Sequence, residues 1–166
     1  MIVGEITRDA LRTELDAIEL LMQDQREVEC LFREFEYLHA KRKETGRVVE
    51  VACAELKMHD TLNTELFLPA VLEAAGEPEI EKLLASVEDA QRAIRDLITR
   101  VEQADNDHEK RDAHFSVLAR HVGRQFDEAE TQVFPRAKKL ERLDLMSVAT
   151  RMKARKNAIL ADVQED

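Results

Sequence analysis

Four long stretches of the chain repeat an apolar residue every three or four positions, and few residues interrupt them. Since an α-helix has 3.6 residues per turn, this spacing places apolar side chains along one helix face. Only four glycines and three prolines occur in 166 residues, and Glu, Leu, Ala, Arg and Lys dominate, which also favours helices. The sequence therefore predicts an all-α fold, and its length predicts a single domain covering residues 1–166.

Short breaks divide the chain into segments of about 25 to 35 residues, each helical in pattern. The breaks fall at residues 45–46, 76–78, 105–107 and 135–144. In the second break, Gly76 suits the position just after a helix and Pro78 suits the first turn of the next one. Because short connections make neighbouring helices antiparallel, we predict an antiparallel up-down-up-down four-helix bundle at about residues 8–140. An additional C-terminal helix is predicted at about residues 145–162.

A polar residue stands near the middle of each main apolar stripe. The second stripe, for example, reads Val48, Ala52, Leu56, His59, Asn63 and Leu66. The four central polar residues are Gln25, His59, Gln91 and Gln125. An antiparallel bundle would bring them to a similar depth, where each buried polar group without a partner costs about 1 to 3 kcal/mol. They predict either a structural amide network that fixes the helix register or a binding site in the core.

The two halves of the chain repeat one another at these positions. QREVECLF begins at Gln25 and QRAIRDLI begins at Gln91. HDTLNTELFLP begins at His59 and QFDEAETQVFP begins at Gln125, so a proline follows each of the two by ten residues. Because 34 residues separate Gln25 from His59 and also Gln91 from Gln125, the pattern indicates two helical hairpins related by a 66-residue repeat.

The same stretches carry a resemblance to a known family. They are DAIELLMQDQREVECLFREFE, ELKMHDTLNTELFLPAVLEA, AQRAIRDLI, FSVLARHVGRQFDEAETQVFP and LDLMSVATRMKARKNAIL. In their order, spacing and prolines they resemble the hemerythrin-like (HHE cation-binding) family over about residues 16–162. The resemblance implies a four-helix bundle around a non-haem di-iron centre that binds oxygen or nitric oxide, senses redox conditions or handles iron.

Most of the ligands that the resemblance implies are replaced in this chain. The family's ligand positions correspond to Gln25, His59, Asn63, Gln91, Gln125 and Ala129. Only His59 keeps the family's histidine, while three histidines are replaced by glutamine and two carboxylates by asparagine and alanine. Neutral amides are weak ligands for iron and cancel no cation charge, so we expect no di-iron centre and no bound cofactor. The five polar side chains are expected to satisfy one another by hydrogen bonds, around one or two waters.

Two functions remain open on these residues. The first is a non-catalytic structural or regulatory interaction module, whose partner is an unknown protein or a small ligand. The alternative is a sensor of oxygen, nitric oxide or redox state, or a binder of non-haem iron or another cation, with a rearranged site at His59, Asp60, His121 and Glu128. No arrangement of nucleophile, base and orienting group is seen, so enzyme activity is not expected.

Charge and hydropathy limit the partners further. The net charge of −10 makes nucleic acid an unfavourable partner, and the eight Lys and Arg residues of segment 136–156 are interpreted as a solvated helix face. Charged residues interrupt every apolar run, so no membrane span is expected, and the chain is assigned to the cytoplasm by default. Cys30 and Cys53 lack a CxxC spacing and are expected to be reduced thiols packed on helices. The sequence leaves the oligomeric state open.

Overall fold

The computed structural model describes residues 14–104 and 106–164, and these residues form helices and connecting loops without any strand. The helices are α1 (Ala17–Ala40), α2 (Gly46–Leu62, a π-helical turn Asn63–Phe67, and Leu68–Ala75), α3 (Pro78–Gln103), α4 (His108–Glu128, a π-helical turn Ala129–Val133, and Phe134–Lys138) and α5 (Leu145–Gln164). The predicted all-α class is confirmed for the described residues. The predicted bundle start near residue 8, and Asp105 in the third break, lie outside them.

Short polar residues and one glycine fix where several helices begin and end. Asp16 accepts a hydrogen bond from the backbone N–H of Glu19 at 2.9 Å, and Asp107 accepts one from Lys110 at 3.1 Å. These carboxylates satisfy N–H groups that have no partner inside the first helical turn. Gly76 ends α2 in the left-handed conformation, with φ 62, and Pro78 opens α3. The predicted roles of this glycine and proline are confirmed.

Among the first four helices, each makes its main contacts with two of the other three. α1 packs against α2, α3 packs against α4, and smaller contacts join α2 to α3 and α1 to α4. α5 lies against α1 and α2. Among the described residues, none of these helices is long and apolar enough to cross a membrane.

The apolar core of the described residues consists of two clusters with a polar layer between them. On α1 the first cluster ends at Leu21 and the second begins at Val28, and Gln25 lies buried between the two. The same order occurs on α3 around the buried Gln91. The predicted stripes therefore face the core, with their polar residues at the junction of the two clusters.

At its C-terminal end the predicted stripe of α2 packs against the core, and a neighbouring phenylalanine is buried more deeply. Leu66, predicted to face the core, is half-buried, while its neighbour Phe67 is fully buried. Both residues lie in a π-helical turn, whose i→i−5 hydrogen bond from the Leu68 N–H to the Asn63 carbonyl adds one residue to the turn.

The two π-helical turns lie at equivalent positions of the sequence repeat. Asn63–Phe67 and Ala129–Val133 are 66 residues apart, and in the second turn the Phe134 N–H donates to the Ala129 carbonyl. Each turn ends two residues before a proline. We attribute both turns to these prolines, since a proline lacks an N–H and its ring clashes with the carbonyl four residues earlier in an α-helix.

Candidate functional site

The junction of the two apolar clusters holds a small enclosed cavity, and the predicted site contributes five of its twelve lining residues. Its volume is about 20 Å³. Five of the six predicted ligand positions line it, namely Gln25, His59, Asn63, Gln125 and Ala129. The other lining residues, all in the described part of the chain, are apolar, so the wall carries amides and one imidazole but no carboxylate.

Three polar atoms around this cavity are buried without a partner. They are Oε1 of Gln25, Nδ1 of His59 and Nε2 of Gln125, none of which forms a hydrogen bond to another described residue. Each such group costs about 1 to 3 kcal/mol when it stays unsatisfied. The expected network is therefore not closed by the side chains alone, because the amides lie around the cavity without reaching one another.

Gln91, the sixth position, is turned to a different partner. Its Oε1 accepts a hydrogen bond from the Thr64 hydroxyl at 2.8 Å, and it does not line the cavity. The same hydroxyl accepts a hydrogen bond from Nη2 of Arg95 at 3.2 Å. The sequence repeat correctly places Gln91 in the core, where it is 2% exposed, but does not identify the threonine on α2 that satisfies it.

The four residues of the alternative metal site are not brought together. Asp60 is bound by Arg95, whose Nε and Nη2 lie 2.6 and 3.0 Å from the two carboxylate oxygens. This hydrogen bonding raises the pKa of Arg95 above its ordinary value. His121 is exposed and Glu128 is half-buried. Within the described residues, no three His, Cys, Asp or Glu side chains are grouped in a way that could hold a metal ion.

An acidic residue that the sequence analysis did not select lies beside His59. Asp24 Oδ2 is 3.9 Å from His59 Nδ1, and Asp24 Oδ1 is 3.8 Å from Nζ of Lys156 on α5. The first distance is too long for a direct hydrogen bond. The imidazole also packs edge-on against Phe126, with ring centroids 5.5 Å apart. The available signal was the position of Asp24, directly before Gln25 on the same helix.

A second polar cluster lies near the C-terminal end of α1, where α2 and α4 begin. The Thr45 hydroxyl is 2.9 and 2.8 Å from the two carboxylate oxygens of Asp112. Arg111 donates from Nη2 to this hydroxyl at 2.8 Å and from Nε to the Asp112 carboxylate at 3.2 Å. All three side chains are buried. The sequence offered no signal for this cluster, because Arg111 and Asp112 stand in the charged stretch HEKRDAH, which is typical of a solvated first turn.

The larger cavities are open surface grooves with a different character. One, of about 650 Å³, is lined by α2, α3 and the first turn of α4. The ion pair of Lys57 Nζ with Glu102 Oε1, at 2.5 Å, lies on its wall. Cys53 lines this groove, and burial, with a smaller contribution from Glu102, raises the pKa of its thiol to about 12. A thiol in this state is a poor nucleophile and a poor metal ligand. The enclosed cavity, with its unpartnered polar atoms, is therefore the candidate functional site.

Comparisons of the chain with protein-family models, with curated proteins and with solved structures found no match. The geometry of the cavity and of the surrounding surface is therefore the basis for assigning a function.

Proposed function

We propose that this chain is a hemerythrin-like, antiparallel up-down-up-down four-helix bundle with an additional C-terminal helix, in which metal ligation has been replaced by hydrogen bonding. In this proposal the protein is a non-catalytic structural or regulatory interaction module. The observation that carries the proposal is that Gln25, His59 and Gln125, which stand at equivalent positions of the repeat, line one enclosed cavity. The contacts of α1 with α2 and α4, and of α3 with α2 and α4, support the bundle arrangement.

The side chains that line the cavity do not fit a di-iron centre. A pair of iron ions needs anionic ligands to bridge them and to cancel their charge, and imidazole nitrogens to bind them. His59 is the one imidazole among the residues that line the cavity in the described part of the chain, and none of those residues is acidic. Amides keep the ability to donate and accept hydrogen bonds without attracting a cation.

The proposed interaction surface is the exposed basic region that runs from the end of α4, through the connecting loop, onto the first half of α5. Its exposed members are Arg136, Lys138, Lys139, Arg142, Arg151 and Lys153. Arg155 and Lys156 are instead half-buried, and they help to hold α5 through Glu65, at 2.9 Å, and Asp24, at 3.8 Å. On a chain with a net charge of −10, an exposed basic region favours a partner that presents acidic groups.

Metal analysis and restoration of the ligands test this proposal together. Protein expressed with ample iron is expected to contain no stoichiometric iron and to show no oxo-to-iron absorption. A variant that restores the family's residues is expected to gain iron, if the bundle is of the family's type. The substitutions are Gln25→His, Asn63→Glu, Gln91→His, Gln125→His and Ala129→Glu.

The control for restoration is the same variant with His59→Ala added, which removes the retained ligand and is expected to lower the iron content. Two irons per chain in the native protein would contradict the loss of the metal site. A restored variant that keeps its helical circular dichroism but gains no iron would contradict the family assignment.

A second candidate function, a cation or diatomic gas sensor, is favoured by the position of Asp24. A histidine that binds a metal commonly has its other ring nitrogen beside a carboxylate, and Asp24 Oδ2 lies 3.9 Å from Nδ1 of His59. The His59→Ala variant of the otherwise native chain separates the two functions. A module should lose at most a few kcal/mol of stability and no metal, whereas a sensor should lose a bound cation.

A further inference from the structure

We infer that the central cavity binds a single water molecule, which bridges the side-chain amides of Gln25 and Gln125. The ligand class is a neutral molecule of the size of water that both donates and accepts hydrogen bonds. This inference names the ligand of the cavity in the proposed function, and it rests on that function in one respect, namely that the cavity no longer binds metal.

The size of the cavity fits one such molecule. A buried water needs a cavity of at least about 10 to 15 Å³ of space for its centre. The cavity between Gln25 and Gln125 provides about 20 Å³ and is enclosed by Leu21, Phe67 and Val133, among others. A ligand with several heavy atoms would have to push these buried side chains apart, and close-packed protein interiors resist such a shift.

The polar atoms around the cavity require a partner that serves as both donor and acceptor. Oε1 of Gln25 can only accept a hydrogen bond, and Nε2 of Gln125 can only donate one. Both atoms are buried without a partner in the described residues, and Gln25 is 1% exposed. One water can donate to the first and accept from the second, and it would serve equally if either amide group turned over. An apolar cavity of this size would stay dry, whereas a polar cavity holds water that makes two to four hydrogen bonds.

The charge around the cavity excludes a simple ion. The residues that line it, all described in the structure, include no acid that would neutralise a cation and no Lys or Arg that would neutralise an anion. The carboxylate of Asp24 lies 3.9 Å from Nδ1 of His59 and is not among the lining residues. A buried ion without a counter-charge is costly, while a neutral water is not.

The test combines a high-resolution crystal structure with magnetic relaxation dispersion of ¹⁷O water, which counts the long-lived internal waters in solution. The test variant is Gln25→Leu with Gln125→Leu, which removes both unpartnered amides. The matched control is Gln91→Leu, because Gln91 is an equally buried glutamine at an equivalent repeat position but does not line the cavity.

The native protein is expected to show one density peak within hydrogen-bond distance of both amides, without anomalous scattering at the iron edge. The number of long-lived waters is expected to fall by about one in the double variant and to stay unchanged in Gln91→Leu. If the double variant does not fold, the presence or absence of the water peak in the native crystal tests the inference by itself.

A dry cavity, or a long-lived water that persists in the folded double variant, would overturn this inference and leave the proposed function standing. An iron peak in the cavity would overturn both, so the two failures are distinguishable.

Discussion

Removing the carboxylate of Asp112 is expected to destabilise the protein strongly. The carboxylate accepts hydrogen bonds from the Thr45 hydroxyl and from Nε of Arg111, and all three residues are buried. In Asp112→Ala, the guanidinium of Arg111 keeps a neighbour in Glu44, 3.7 Å away, but that glutamate side chain is 70% exposed. Breaking one side of a buried ion pair costs about 3 to 5 kcal/mol, because a buried charge is left without compensation.

The same reasoning predicts the results for two companion variants. Asp60→Ala breaks the Arg95 pair, in which the arginine is 41% exposed, so solvent screening limits the cost of the lost ion pair to about 1 kcal/mol. The double variant Arg111→Met with Asp112→Leu leaves no buried charge without a partner, so it is expected to be more stable than Asp112→Ala.

Urea unfolding followed by circular dichroism measures these changes in the free energy of unfolding. The comparison requires that the dependence of this free energy on urea concentration has the same slope in every variant. For a chain of this size, a loss of 3 to 5 kcal/mol corresponds to a fall in Tm of about 6 to 20 °C. The reasoning is refuted if Asp112→Ala costs less than about 1 kcal/mol, or if the separate costs of Arg111→Met and Asp112→Leu add to that of the double variant.

Three further predictions concern the thiols, the core and the glycines. An aromatic disulfide reagent at pH 8 should label Cys30, which is exposed, and leave Cys53 unlabelled until urea unfolds the chain. The reason is that burial raises the pKa of the Cys53 thiol to about 12. Equal labelling rates for the two thiols in the folded protein would contradict this prediction. Phe67→Ala should cost about 3 to 5 kcal/mol in urea unfolding, since the ring is fully buried. Gly76→Ala should lower the free energy of unfolding by about 1 to 2 kcal/mol, because φ is 62 at this residue. Gly123→Ala, in a helix with open space for a Cβ, should raise it by up to about 1 kcal/mol. Changes of the same sign in the two variants would contradict the comparison.

Part of the candidate site could be predicted because its positions repeat along the chain. Gln25, His59 and Gln125 stand on apolar stripes, and a stripe on a regular helix faces the core wherever that helix packs. This reasoning did not select Phe67, which is fully buried in the π-helical turn of α2 beside the half-buried Leu66. The turn depends on how the backbone accommodates Pro69 inside a long helix, which periodicity does not describe.

The direction in which a buried polar side chain points could not be predicted in the same way. Gln91 has the same local pattern as Gln25, yet it accepts a hydrogen bond from Thr64, 27 residues earlier in the chain. The two glutamines differ because the neighbouring helix offers a hydroxyl to one, while the other faces a cavity.

The sequence by itself determined where most of the helices lie and which of their faces are buried, because these depend on residues within a few turns of one another. The predicted break at 135–144 begins later in the structure, where α4 continues through Pro135 to Lys138. Only the tertiary structure decided the polar partners. Thr45 meets Asp112 across 67 residues, Asp24 lies beside both His59 and Lys156 of α5, and one enclosed cavity forms where two apolar clusters meet. Hydrogen bonds and ion pairs act over a few ångströms, so they are fixed by the packing of distant segments rather than by local pattern.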